Sequence, residues 1–255
     1  MSRESNRNAG AERRRAMGQP DNDPGLNAPG YAAYVDEYYH QDISGREVLA
    51  PADRVIPALT ALCFRGAEKA TERMVGSALD AGLDARAILE VFIQSALYSG
   101  VPRTEEAIVT ANRVFTIRGI SLPDDPPDTR TAEEMDTAGA AVMEELHGPR
   151  QAGGYASPDN PVTFALYQGA IRHGYGQLWV RSGLDLRQRV IVAIAGFTSA
   201  SLHDSLRKFS VSALNVGLTK DEVAEAAIQT APWNGLPIAL NGLTVISAAF
   251  EDAGV

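Results

Sequence analysis

The sequence predicts an all-α protein made of two tandem copies of one helical unit, and three observations carry that prediction. No stretch alternates apolar and polar residues with the period of a strand, while apolar residues recur at helical spacing from Tyr31 to Phe115 and from Pro161 to Phe250. Helix starts and stops punctuate both runs at matching places. Sliding the chain by 135 residues without a gap, 49–102 against 184–237, gives 16 identities in 54 positions, where unrelated text of this composition gives about three or four. A helical hairpin that cannot close its own core packs against its twin, so pseudo-twofold symmetry is expected.

Residues 1–30 are rich in Arg, Asn, Gly, Asp and Pro without apolar periodicity, and read as a disordered tail whose Arg13–Arg15 run is solvated. The first repeat is expected over 31–120. Within it PADRVIPALTAL places Pro51 in a first turn and TERMVGSALDAG stops at Gly82. LDARAILEVFIQSALYSG then runs from an N-cap at Asp84 to a stop at Gly100. SLPDDPPDT is a linker, 121–130, because its prolines cannot continue a helix. The second repeat, 131–255, opens with the amphipathic TAEEMDTAGAAVMEELHG and resumes at Pro161.

At 255 residues and 45% hydrophobic content the chain can bury one large core or two modest ones. A formal charge of −9 argues against nucleic acid or an anionic membrane as a partner, since both need a basic face. No run reaches twenty apolar residues and MSRESNRNAGAERRRAM lacks a signal-peptide stretch, so a cytoplasmic location is expected. The one cysteine, Cys63, can form neither an internal disulfide nor a CxxC pair, and reads as a small core residue. No metal site is expected.

The repeat contains one phrase written twice, EVFIQSALYSGVP at 90–102 and EAAIQTAPWNGLP at 225–237. Glu90, Gln94 and Tyr98 share one helix face, as do Glu225, Gln229 and Trp233. Both helices are apolar nearly all round, so each carboxylate is buried and needs a partner. Two compatible roles follow. Either Arg54 pairs with Glu90 and Arg189 with Glu225 to hold each copy together, or the carboxylate lines a pocket as an acid/base with a pKa raised by desolvation.

WVRSGLDLRQRVIVAIAGFTSA, followed by ALNVGLTKDEVAEAAIQTAPWNGLP, resembles the carboxymuconolactone decarboxylase family, and YQGAIRHGYGQLW before it fits as well. The likeness spans about 31–119 and 131–250 and is closer in the second half. It implies a helical unit that oligomerises: single-unit members form hexamers, so a doubled chain is expected to form a homotrimer. It also implies one of two chemistries, decarboxylation of lactone acids without a cofactor, or peroxide reduction by a CxxC and a downstream His. Where the thiols would stand this chain has Ala67 and Ala70, then Leu202 and Ser205, which excludes the peroxidase branch. Met74 and Phe209 occupy the positions of the helix His. Arg181, Arg187, Arg189, Glu225 and Gln229 match the family pattern.

The second copy is therefore expected to be the working site. Glu225, His203 and Tyr175 are its candidate catalytic residues. Arg181, Arg189, His173, Trp179, Phe209, Gln229 and Trp233 are its candidate substrate-binding residues, with Arg54, Met74, Glu90, Gln94 and Tyr98 as first-copy equivalents. The expected activity is a cofactor-independent decarboxylase or related lyase acting on a small carboxylated carbonyl, lactone or polyketide-like metabolite. Such a substrate carries its own electron sink, so the protein need only clamp the carboxylate, desolvate it and supply a proton. An isomerase or cyclase on the same fold, or a non-catalytic ligand-binding or scaffold protein, is the alternative. An open cavity lined by Arg and Glu would favour an enzyme; pockets filled by Phe209, Trp233 and Met74 would favour a scaffold.

Overall fold

A computed structural model describes residues 2–19, 28–148 and 160–255, and among these there is no strand. In the first repeat, α2 (Tyr31–Val35) runs straight on as a π-helix, π1 (Asp36–Ile43). Helices α3 (Pro51–Arg65), α4 (Glu68–Asp80), α5 (Ala85–Ser99) and α6 (Val101–Ile117) follow. Gly66 and Gly100 close α3 and α5 at φ 59° and 85°, a backbone region that costs glycine least. The Asp84 side chain caps α5 by accepting from the Ala87 amide at 2.8 Å.

The second repeat repeats this order. After α7 (Ala132–His147), which Thr131 and Glu134 open with a capping box, come α8 (Phe164–Gly169) and its π-helical continuation π2 (Ala170–Leu178). Then follow α9 (Leu186–Ala200), α10 (His203–Ser212), α11 (Lys220–Ile228), α12 (Ala231–Asn234) and α13 (Leu236–Ala253). Where α5 is continuous, its counterpart is split into α11 and α12. The cause is local: Pro232 stands where the first copy has Leu97, has no N–H to donate, and so begins a new turn.

Helix α1 (Arg3–Ala16) corrects the expectation of a disordered tail over 1–30. It packs on π1 as α7 packs on π2, so the first repeat begins with α1 rather than at residue 31. Few apolar residues hold it. Gly10 brings the helix against the Asp36 carbonyl, where any Cβ would clash, and Gly139 plays the same part for α7 against the Ile171 carbonyl. Arg14 reaches Asp36 at 2.7 Å and Arg3 reaches Glu37 at 3.0 Å, so the arginine run is not simply solvated. The expectation for residues 20–27 of the tail lies outside the described residues.

The two repeats close a common core across α3 and α9, which the 135-residue register makes equivalent and which pack on each other. Ile56, Leu59 and Leu62 on α3 and Val190, Ile191 and Ile194 on α9 are buried there. Helix α5 also packs on α9, which carries Glu90 and Gln94 into the second repeat. No helix among the described residues is long and apolar enough to cross a membrane.

Candidate functional site

Both glutamates of the repeated phrase are fully buried, and both are paired, but across the repeats. Glu90 accepts from Arg181 Nε at 2.9 and 3.1 Å and from Arg189 Nη2 at 3.1 Å, while Arg86 Nε lies 3.1 Å away. Arg189 also donates to Gln94 Oε1 at 3.1 Å and to the Arg181 carbonyl at 2.6 Å, and Gln94 Nε2 donates to the Arg189 carbonyl at 2.8 Å. Asp125, from the linker, closes the cluster by binding Arg86 at 2.5 and 2.7 Å and Arg181 at 2.9 Å. In the other half Glu225 accepts from Arg46 Nε at 2.7 Å and from Gln229 Nε2 at 2.8 Å. Gln229 Nε2 also donates to the Ile43 carbonyl at 2.8 Å, and Arg54 donates to the carbonyls of Ser44 and Leu49.

The expected pairs Arg54–Glu90 and Arg189–Glu225 are therefore corrected. Because α3 and α9 face each other, each conserved-register arginine reaches the opposite repeat: Arg189 meets Glu90, and Arg54 feels the charge of Glu225. Burial pushes both guanidinium groups below their ordinary pKa, and the neighbouring glutamate in each case pulls it back. Both carboxylates are thus engaged by guanidinium and amide donors, and a smaller cavity lined by Arg86, Asp125 and Arg181 lies beside the Glu90 cluster.

A larger cavity lies elsewhere, where helices of the two repeats meet. It encloses about 600 Å³ between π1, α4, α12 and the start of α13, with Arg14 and Gln19 from the α1 segment at one side. Met74, at the position of the family His, and Trp233 form part of its wall. Tyr34, Tyr38, Tyr39 and His40 come from α2 and π1, and π-helical turns often mark sites where side chains must be re-aimed. Three buried polar atoms on these walls have no partner among the described residues: Tyr38 Oη, His40 Nδ1 and Trp233 Nε1. Such atoms cost about 1–3 kcal/mol each when left unbonded. Arg73, exposed at the rim, makes no ion pair among the described residues.

Burial favours the neutral forms of the cavity's histidine and of two of its tyrosines. Burial lowers the His40 pKa to about 4; Asp36 opposes that shift, and Arg14, bound to Asp36, adds to it. Burial raises the Tyr38 phenol, with Tyr34 adding to the effect, and burial raises Tyr39 further. His40 is thus an uncharged hydrogen-bonding imidazole at neutral pH, and Tyr38 is a protonated donor.

The corresponding region of the second copy is packed with its own rings. Phe209, the counterpart of Met74, lies 4.8 Å from Phe197, 4.9 Å from His147 and 6.0 Å from Trp179 between ring centroids. Tyr175, the counterpart of His40, lies 5.4 Å from Trp179, and its hydroxyl is 3.2 Å from His147 Nε2. His147 Nδ1 is 2.8 Å from Ser212 Oγ. His203 is exposed at the first position of α10, and His173 is exposed with Nδ1 3.0 Å from Gln177 Oε1. Neither lines the cavity beside Met74. Tyr98 receives a hydrogen bond from Gln94 at 3.2 Å and packs edge-on to Phe197. The larger cavity therefore opens beside Met74 and not beside its counterpart Phe209. Of the candidate residues, only Met74 and Trp233 reach the open cavity.

Sequence reasoning missed Arg46, Arg73, Tyr38 and His40. Arg46 was within reach: the same ungapped register, carried three residues upstream of 49, sets it opposite Arg181. The tyrosine-rich YAAYVDEYYH, 31–40, was the signal for the cavity wall. Among the described residues no group of three or more His, Cys, Asp or Glu side chains is placed to hold a metal.

Comparison with known proteins agrees with the doubled architecture. The profile of the carboxymuconolactone decarboxylase family matches twice, at residues 29–112 and 165–248. A 4-carboxymuconolactone decarboxylase of Acinetobacter baylyi is 31% identical over 84 residues, which is 33% of this chain and 63% of that protein. The matched segment thus spans less than two thirds of the relative's length.

Proposed function

As the chain belongs to the carboxymuconolactone decarboxylase family, we propose that the cavity beside Met74 and Trp233 is the active site of a carboxy-lyase-type enzyme that acts without a cofactor on a small carboxylated carbonyl or lactone. One observation carries the reading. An open cavity at the family's catalytic position combines a rim arginine lacking an ion pair with three buried polar atoms lacking partners.

In this reading Arg73 holds the substrate carboxylate at the rim. The bond from the carboxyl carbon to the neighbouring carbon breaks, carbon dioxide leaves, and the electron pair passes into the adjacent carbonyl to form an enolate. Trp233 Nε1–H and neutral His40 stabilise the enolate oxygen, since donors fixed in a dry site act most strongly where charge develops. The Tyr38 hydroxyl gives its proton to the carbanion carbon and recovers one from water at the mouth. Glu225 and Glu90 take no part beyond holding the walls. The second copy supports a different role: its aromatic packing favours a scaffold for the first.

The test is carbon dioxide release from a panel of β-keto acids and carboxylated lactones. Turnover of at least one member is expected, falling by about 10²-fold or more in Tyr38→Phe. Failure of every substrate, or turnover indifferent to Tyr38→Phe and Arg73→Ala, would refute the assignment.

A further inference from the structure

We propose that the cavity is shaped for a flat, conjugated acid of two or three fused rings, an inference that rests on reading this cavity as the substrate site. Its walls are aromatic on several sides. Tyr34 and Tyr38 stack with centroids 5.4 Å apart, Tyr39 and His40 lie 4.3 Å apart, and Tyr39 meets Trp233 edge-on at 5.0 Å. Rings that offer both faces and edges favour a planar partner over a puckered one of equal volume. A void of about 600 Å³ lies in the range that takes a compact polycyclic ligand.

The second repeat supplies an internal control. At the equivalent place it buries three rings of its own, Phe209, Phe197 and Trp179. The first repeat has Met74 at the register position of Phe209, and its cavity-lining Tyr34, Tyr38 and Tyr39 stand where the second repeat has Gly169, His173 and Gly174, so these three cavity rings are particular to the first repeat.

Polarity fixes the ligand's functional groups. Trp233 Nε1 can only donate, and the Tyr38 hydroxyl is held protonated by burial, so the ligand presents an oxo or hydroxyl oxygen to them. Arg73 at the rim calls for an anionic group at the other end. Together these describe a ring system with a carboxylate at one edge and an oxygen substituent at another.

The experiment is calorimetric titration of the full chain at pH 7 with 6-hydroxy-2-naphthoate and, separately, with its ring-saturated decahydro counterpart. The aromatic acid is expected to bind about tenfold or more tightly than the saturated one. Trp233→Leu and Tyr38→Phe, checked for folding by circular dichroism, should each weaken the aromatic acid by about fivefold or more. Equal affinity for the two acids, with both lost in Arg73→Ala, would overturn the flat-ligand inference and leave the cavity as an acid-binding site. Absence of binding by either acid to the unmodified protein would overturn both.

Discussion

Replacing Glu90 by Gln removes the single buried negative charge on which three arginines converge. Arg189 is 1% exposed and Glu90 0%, so the guanidinium left behind cannot reach water, and it faces Arg181 and Arg86 without the shared carboxylate. Breaking a buried pair from one side costs about 3–5 kcal/mol, a large part of the roughly 5–15 kcal/mol that stabilises a typical domain. Glu225→Gln should cost less, about 1–2 kcal/mol, because its partner Arg46 is 41% exposed and can turn outward. Urea unfolding followed by far-ultraviolet circular dichroism measures both. A double-mutant cycle then identifies the partner: Glu90→Gln with Arg189→Met should show a coupling of about 2 kcal/mol or more, whereas Glu90→Gln with Arg54→Met should be additive to within about 0.5 kcal/mol. The reverse pattern would show that the ion pairs lie within each copy and would refute the crossed architecture.

Four further outcomes are expected. His40, with its pKa lowered to about 4, contributes stability that is fully present above the unfolded value near 6.5 and is lost as pH falls from there toward 4; the loss should be about 2–3 kcal/mol between pH 7 and pH 4, and an unchanged pH slope in His40→Gln would contradict it. Gly10→Ala and Gly139→Ala should each lower the unfolding midpoint, since a Cβ at either would press on the facing carbonyl of a π-helix; a neutral Gly10→Ala would mean that α1 is not docked. With Ala67, Ala70, Leu202 and Ser205 at the thiol positions, no thiol-dependent peroxide reduction is expected, and turnover dependent on buried Cys63, whose thiol burial pushes up, would overturn that. Exposed Leu97, Val101, Val109, Leu236 and Leu240 fit self-association, and light scattering should return three times the 27.2 kDa chain mass; a monomer would refute the trimer.

What could be read from the chain, and what could not, divides along physical lines. The helices were legible because their periodicity, caps and stopping glycines are local signals, and the internal repeat because identity survives at Arg54/Arg189, Glu90/Glu225 and Gln94/Gln229. The buried state of both glutamates followed from their apolar neighbours. Partner choice did not, since an arginine present in both copies fits either copy's glutamate until the packing of α3 on α9 decides. Helix α1 escaped notice because glycine contact and Arg14–Asp36 pairing hold it, where an apolar stripe would have announced it. The cavity beside Met74 and Trp233 was not legible for a related reason: likeness to a family pattern is strongest in the second repeat, whereas an empty space depends on how helices of both repeats meet, and YAAYVDEYYH carries no motif.

The central claim is that one cavity per chain binds substrate, and that it is the one beside Met74 and Trp233. Its most direct test writes the second copy's residue into the first: Met74→Phe, with Phe209→Met as its mirror, each titrated calorimetrically with 6-hydroxy-2-naphthoate beside the unmodified chain. The account predicts one ligand per chain in the unmodified protein, binding lost in Met74→Phe with the fold intact, and binding kept in Phe209→Met. Binding that survives Met74→Phe and disappears in Phe209→Met would place the site in the second copy and contradict it.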